Sequence, residues 1–178
     1  MIEEKRMILV GSTGRNSGKT TFSTEFITKY KEKYKIVALK VTTVESRHMK
    51  CPRGGEGCGT CTSLMGDFDI RIEEKAGDVK DTQRLKKAGA DRVYWIRSYP
   101  EFLTQAFEEF LSLVEDADLI ICESNSLRNY VKPNIFIMID NSKDKKKTAQ
   151  AVYDHATYIY PQIEAEDAKK ILEELVIE

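Results

Sequence analysis

The stretch VGSTGRNSGKTTF, from Val10 to Phe22, decides how this chain is organised. It overlaps an apolar run, RMILVG, whose composition predicts a buried β-strand. It leads into TTFSTEFITKYKEKY, where Phe22, Phe26, Ile27 and Tyr30 recur at nearly the helical period of about 3.6 residues. A glycine-rich turn therefore connects a strand to a helix.

Strand-like and helix-like segments alternate along the rest of the chain. We predict further strands at 35–42, 92–96, 118–124, 134–140 and 157–161, and helices at 81–90, 100–115, 145–156 and 165–176. This alternation favours an α/β fold in which helices cover both faces of a mostly parallel sheet. The length suits one domain over residues 1–178. The exception is 43–66, which is rich in glycine and cysteine and which we interpret as an insertion loop.

Composition excludes several classes of partner. The 28 Lys and Arg residues nearly balance the 29 Asp and Glu residues, so the sequence gives no polybasic signal for nucleic acid or a membrane surface. No apolar run approaches the ~20 residues of a membrane span. The first residues, MIEEKR, lack the pattern of a secretory signal. We therefore expect a cytoplasmic protein.

Gly18-Lys19-Thr20 closes a phosphate-binding loop (P-loop) placed between a strand and a helix, as such a loop requires. Backbone N–H groups and the positive end of the helix dipole would hold the phosphates. Lys19 would reach the β- and γ-phosphates, and the Thr20 hydroxyl would bind Mg²⁺. The motif calls for glycine at the position of Thr13, although Gly11 and Gly14 flank it. The residues expected at the nucleotide are Gly14, Arg15, Asn16, Ser17, Gly18, Lys19, Thr20 and Thr21.

Two acids are candidates for magnesium binding and catalysis together with Lys19. Glu123 ends the apolar run DLIICE, which would deliver a carboxylate to the sheet edge beside the loop. Asp81, on the same short predicted helix as Arg84, is the second candidate. The alternatives are an ordinary strand-end carboxylate for Glu123 and a helix N-cap for Asp81.

The insertion loop contains a pattern of metal ligands. His48, Cys51, Cys58 and Cys61 are spaced H-x2-C-x6-C-x2-C, which is compatible with a tetrahedral zinc site. The same thiolates are compatible with an iron–sulfur cluster or with free redox thiols, and a lone histidine in a polar loop is often simply solvated. Cys122 lies in an apolar strand, and we interpret it as a core residue.

Several of these segments together resemble one family. GRNSGKTT, the LK that ends the second strand, DTQRLKKAGADRVYWI and DLIICES resemble the molybdopterin-guanine dinucleotide biosynthesis protein B (MobB) family of P-loop NTPases, over about two-thirds of the chain. The most specific pattern, D-[ST]-x5-A-G-A, is matched by Asp81, Thr82, Ala88, Gly89 and Ala90.

The resemblance implies binding and slow hydrolysis of GTP, or ATP, with Mg²⁺, in support of molybdenum cofactor biosynthesis. It implies a molybdopterin nucleotidyltransferase as partner and is compatible with a homodimer. The chain departs from the family at KVTTVESRH, where the family has K-H-x-H-H, and at Glu123-Ser124-Asn125, where it has E-G-F. The cysteine loop is not part of the family pattern.

Two other functions use the same loop. A small-molecule kinase would bind its acceptor near Lys40, the cysteine loop, Asp81 and Arg84. A nucleotide-switched metallochaperone or adaptor would carry transferable metal on the cysteines. The segment DNSKD offers Asn141 or Asp144 to read a base edge, or else an N-cap for the following helix.

Overall fold

The computed structural model describes residues 1–44, 64, 66–141 and 146–174. In these ranges the chain forms one seven-stranded sheet in the order β3-β4-β2-β5-β1-β6-β7. The strands are β1 (Ile2–Ser12), β2 (Ile36–Thr43), β3 (Phe68–Ile72), β4 (Arg92–Ser98), β5 (Leu119–Glu123), β6 (Val131–Ile139) and β7 (Tyr158–Tyr160). The helices are α1 (Lys19–Tyr30), α2 (Asp81–Ala88), α3 (Leu103–Ser112), α4 (Lys147–Gln150) and α5 (Ala165–Glu174). The predicted mostly parallel α/β fold is confirmed.

β1 is an interior strand, and its composition explains its place. Met7 to Val10 are at most 2% exposed, which is typical of a parallel strand covered on both faces. It pairs with β5 on one side, where Val10 lies opposite Glu123, and with β6 on the other, where Ser12 lies opposite Ile139. The end of β1 is therefore held between two neighbouring strand ends.

β3 was not predicted from the sequence. It pairs with β4 in the antiparallel direction, with Ile70 opposite Ile96. Phe68 and Ile70 pack on the core, whereas Asp69 and Arg71 form an ion pair. The period-two pattern FDIRI is a strand signal, but it is too short to stand out beside the glycine-rich segment before it.

Helices cover both faces of the sheet. Phe22 and Phe26 of α1, Leu85 of α2 and Leu172 of α5 share one apolar cluster, whereas α3 and α4 pack into the other. The predicted helix at 145–156 is shorter than expected: α4 is followed by a 3-10 turn, Tyr153–His155. Within the described part of the chain, no helix has the length and apolar character needed to cross a bilayer.

The predicted insertion at 43–66 falls mostly outside the described residues. β2 continues to Thr43, and β3 begins at Phe68. The proposed metal ligands His48, Cys51, Cys58 and Cys61 all lie outside the described ranges.

The end of α2 gives a test of the fold. Gly89 closes this helix in the left-handed conformation, with φ 110°, and a Cβ there would lie 2.6 Å from Cδ of Lys31. We expect Gly89→Ala to lower the free energy of unfolding by about 1–2 kcal/mol in urea titrations. Gly77→Ala is the control, since Gly77 is not in that conformation and meets only the flexible side chain of Gln83. Equal effects of the two changes would contradict this account.

Candidate functional site

The loop between β1 and α1 is shaped by its backbone. Asn16 and Gly18 both have positive φ, at 51° and 100°. Gly18 must be glycine, because a Cβ there would lie 2.0 Å from the carbonyl oxygen of Ile163. The Ile163 N–H donates to the carbonyl oxygen of Ser17 at 3.1 Å, so the segment before α5 supports the loop.

Thr13 stands where the motif calls for glycine, and the structure shows what it does there. Its N–H donates to the carbonyl oxygen of Ile139 at 2.9 Å, and its hydroxyl donates to Oδ1 of Asp140 at 3.0 Å. The same hydroxyl accepts the Asn141 N–H at 3.0 Å. Thr13 therefore ties the loop to the end of β6, a role for which glycine lacks the side chain.

Asn125 fixes the start of the loop from the β5 side. Its Oδ1 accepts the Ser12 N–H at 2.8 Å, and its Nδ2 donates to the Ser12 carbonyl oxygen at 2.9 Å. A Cβ on Gly11 would lie 2.7 Å from that Oδ1, so glycine is needed at this close approach. Asn125 and Ser12 were not predicted to belong to the site; the amide two residues after a strand-end acid was the available signal.

Lys19 is the first residue of α1, and its side chain extends back to the end of β1. Its Nζ donates to Oγ of Ser12 at 2.6 Å. Burial lowers the pKa of Lys19, while the negative charge of Glu123 acts in the opposite direction. The ammonium group is thus partly desolvated and held by one neutral hydroxyl, an environment that favours an incoming anion.

Thr20 and Glu123 meet beneath the loop. The Thr20 hydroxyl donates to Oε2 of Glu123 at 3.1 Å, and Glu123 is only 4% exposed. Its other oxygen, Oε1, has no hydrogen-bond partner among the described residues. Burial raises the pKa of Glu123, although the charges of Lys40 and Lys19 oppose the increase. A buried acid with a free oxygen beside a hydroxyl is a suitable ligand pair for a hard cation.

Asp81 and Lys40 form an ion pair next to this acid. Lys40, on β2, lies opposite Glu123 in the sheet register and donates to Oδ2 of Asp81. Burial alone would raise the pKa of Asp81, but Lys40, Arg84 and Lys19 together lower it. Asp81 is the first residue of α2, and Lys80 occupies the N-cap position, so the N-cap alternative is wrong.

The other predicted residues are placed as follows. Arg84 lines an open groove of about 270 Å³ between α1 and α2, together with Thr24, Thr28, Asp78, Lys87 and Ala88. Nδ2 of Asn141 donates to the Arg15 carbonyl oxygen at 3.4 Å, so Asn141 supports the loop. Lys146 donates from Nζ to the Gly14 carbonyl oxygen at 2.7 Å. Asp144 lies outside the described residues, and Cys122 is buried in the core as expected.

Among the residues that the structure describes, no three His, Cys, Asp or Glu side chains come together as a metal site. A magnesium ion that accompanies a nucleotide needs less, because phosphates and water supply most of its ligands. Searches of protein-family models, curated proteins and solved structures returned no match to this chain.

The pKa of Glu123 leads to a pH-dependent stability prediction. Because its pKa is higher in the folded protein than in the unfolded chain, its ionised form costs stability once the pH rises above the unfolded value. We expect Glu123→Gln to raise the free energy of unfolding of the nucleotide-free protein by an amount on the order of 1 kcal/mol at pH 8. The gain should shrink as the pH falls towards the ordinary glutamate value of about 4.3.

Glu4 provides the contrast. It is also buried, but its hydrogen bonds from Arg6 outweigh burial and lower its pKa. Glu4→Gln should therefore destabilise the protein at pH 8. Urea titrations at pH 8 and at a pH near the ordinary glutamate pKa of about 4.3 measure the free energy of unfolding of both variants. A loss of stability in Glu123→Gln at pH 8 would contradict this assignment of its charge.

Proposed function

We propose that this protein binds a nucleoside triphosphate, with GTP as the leading candidate, together with Mg²⁺ at the loop between β1 and α1, and hydrolyses it slowly. The observation that carries the proposal is the buried Glu123, whose Oε2 accepts a hydrogen bond from the Thr20 hydroxyl at the start of α1, while its Oε1 has no partner among the described residues. A buried carboxylate without a second partner costs stability, which a bound cation would offset.

Each part of the site has a role in this proposal. The backbone from Gly14 to Gly18 and the N-terminus of α1 hold the phosphates, and Lys19 exchanges the Ser12 hydroxyl for a phosphate oxygen. Thr20 and Glu123 hold Mg²⁺, which neutralises phosphate charge when bound. Glu123 and Asp81 are the acids available to orient or deprotonate an attacking water.

The biological role follows from the resemblance to the MobB family. We propose that nucleotide binding supports molybdopterin-guanine dinucleotide formation or related metallocofactor assembly, with a molybdopterin nucleotidyltransferase as partner. Asn125 stands where the family has the phenylalanine of E-G-F, and in this chain its side chain accepts the Ser12 N–H and so supports the loop.

The groove between α1 and α2 favours a second candidate, a small-molecule kinase. It lies one helical turn from Asp81 and contains the hydroxyls of Thr24 and Thr28 beside Arg84. These groups suit an anionic acceptor. Rapid phosphorylation of one metabolite would identify a kinase, whereas a slow GTPase would release phosphate slowly whichever metabolite is added.

Lys19→Ala tests the loop assignment. We expect a loss of triphosphate affinity of at least about 100-fold by calorimetry, because a buried cation at the phosphates is removed. The control is Lys132→Ala, at an exposed position near the start of β6, which should bind as the wild type does. The melting temperature of both variants should stay near the wild-type value, and unchanged affinity in Lys19→Ala would refute the assignment.

The cysteine loop carries a separate proposal that rests on sequence alone. We propose that Cys51, Cys58 and Cys61, with His48, bind zinc, with an iron–sulfur cluster as the alternative. Anaerobically purified protein should contain about one metal equivalent, which Cys58→Ser loses and Cys122→Ala, in the buried core, retains. An absorption spectrum separates colourless zinc from iron–sulfur, and metal-free wild-type protein would refute both.

A further inference from the structure

We propose that Lys40 recognises the γ-phosphate and so sets the preference for a triphosphate over a diphosphate, while Asp81 holds Lys40 in the nucleotide-free protein. This inference rests on the proposed nucleotide binding. Nothing in the P-loop motif requires a lysine at the end of β2.

The sheet register places Lys40 at the site. Val10, Glu123 and Lys40 lie side by side on the adjacent strands β1, β5 and β2. In-register residues of parallel strands point to the same face, and here that face is the one covered by α1 and α2. Lys40 is therefore next to the magnesium-binding acid and at the same sheet edge as the P-loop.

The charges show what Lys40 can contribute. Lys19 and Lys40 formally balance Glu123 and Asp81, and these four groups act on one another electrostatically. If Glu123 holds Mg²⁺ and Lys19 lies at the β- and γ-phosphates, these two positive groups still leave part of the negative charge of the γ-phosphate uncompensated. Lys40, opposite Glu123 on the neighbouring strand β2, is the cation available to compensate that charge.

The Lys40–Asp81 pair is suited to being exchanged. Their side chains are 29% and 42% exposed, so solvent weakens the ion pair. A terminal phosphate group carries close to two negative charges, against one on this carboxylate, and can accept a charge-assisted hydrogen bond from Lys40. A triphosphate would therefore draw Lys40 away from Asp81, whereas a diphosphate leaves the pair intact.

A purely structural role would be to fasten α2 to the sheet. Loss of that structural contact would lower the free energy of unfolding and would reduce the affinities for the triphosphate and the diphosphate by the same factor. Recognition of the γ-phosphate changes the ratio of the two affinities. That ratio separates the two roles.

The experiment is calorimetry with Mg²⁺ and either GDP or a non-hydrolysable GTP analogue, repeated with the adenine nucleotides. We expect Lys40→Met to lower the affinity for the triphosphate by at least about 10-fold and the affinity for the diphosphate by less than about 3-fold. Asp81→Asn should raise the triphosphate-to-diphosphate affinity ratio, because it releases Lys40. Lys40→Arg, which keeps the charge, should retain most of that ratio.

Lys132 and Glu3 provide controls, since they form an exposed lysine–carboxylate pair near the starts of β6 and β1, at the other end of these strands from the loop. Lys132→Met and Glu3→Gln should leave the ratio unchanged. Melting temperatures identify any variant that fails to fold, and Lys40→Gln then replaces Lys40→Met.

Equal losses for the two nucleotides in Lys40→Met, or in Lys40→Gln, would overturn the role of Lys40 and leave the proposed function standing. Failure of the wild-type protein to bind either nucleotide would overturn the proposed function and this inference together.

Discussion

The contact between Thr20 and the buried carboxylate of Glu123 is the constraint around which the site is arranged. Glu123 ends a strand that lies between β2 and β1, so its side chain is enclosed by the sheet and by α1. Burial opposes its ionised form, and the hydroxyl satisfies only one of its two oxygens. The fold thus keeps an acid where stability alone would favour a neutral side chain, as is common where binding is the function.

The loop above this acid is held in shape from three directions. Thr13 connects it to β6, Asn125 connects it to the end of β5, and Ile163 contacts it from the segment before α5. Two of these supports, at Thr13 and Ser17, lie on either side of Asn16, one of the two residues with positive φ. A loop that is ordered before its ligand arrives loses less conformational entropy on binding.

Local patterns predicted much of this molecule. The strand–loop–helix unit, the start of α2 at Asp81 and the position of Glu123 at a strand end follow from short-range features of composition and spacing. The predicted helix at 145–156 was too long because α4 gives way to a 3-10 turn. β3 was missed because its five residues follow a glycine-rich segment and pair with a strand that comes later in the chain.

The partnerships within the site depend on strand order, which the sequence did not provide. Lys40 is 83 residues from Glu123 in the chain, yet the two lie opposite each other because β2 pairs with β5. The support that Asn125 gives to Ser12 likewise depends on the register of β5 with β1. Thr13 could be read only as a departure from a motif until its bonds to the end of β6 were visible.

The contact between Ile163 and Gly18 has a consequence for how the protein matures. The residues of the loop and this support are far apart in sequence, because Ile163 belongs to the segment that follows β7. A nascent chain that has not yet reached Ile163 therefore contains the whole motif but lacks one of the contacts that hold the loop in shape. The loop gains this contact only after β7 and the residues that follow it have been synthesised.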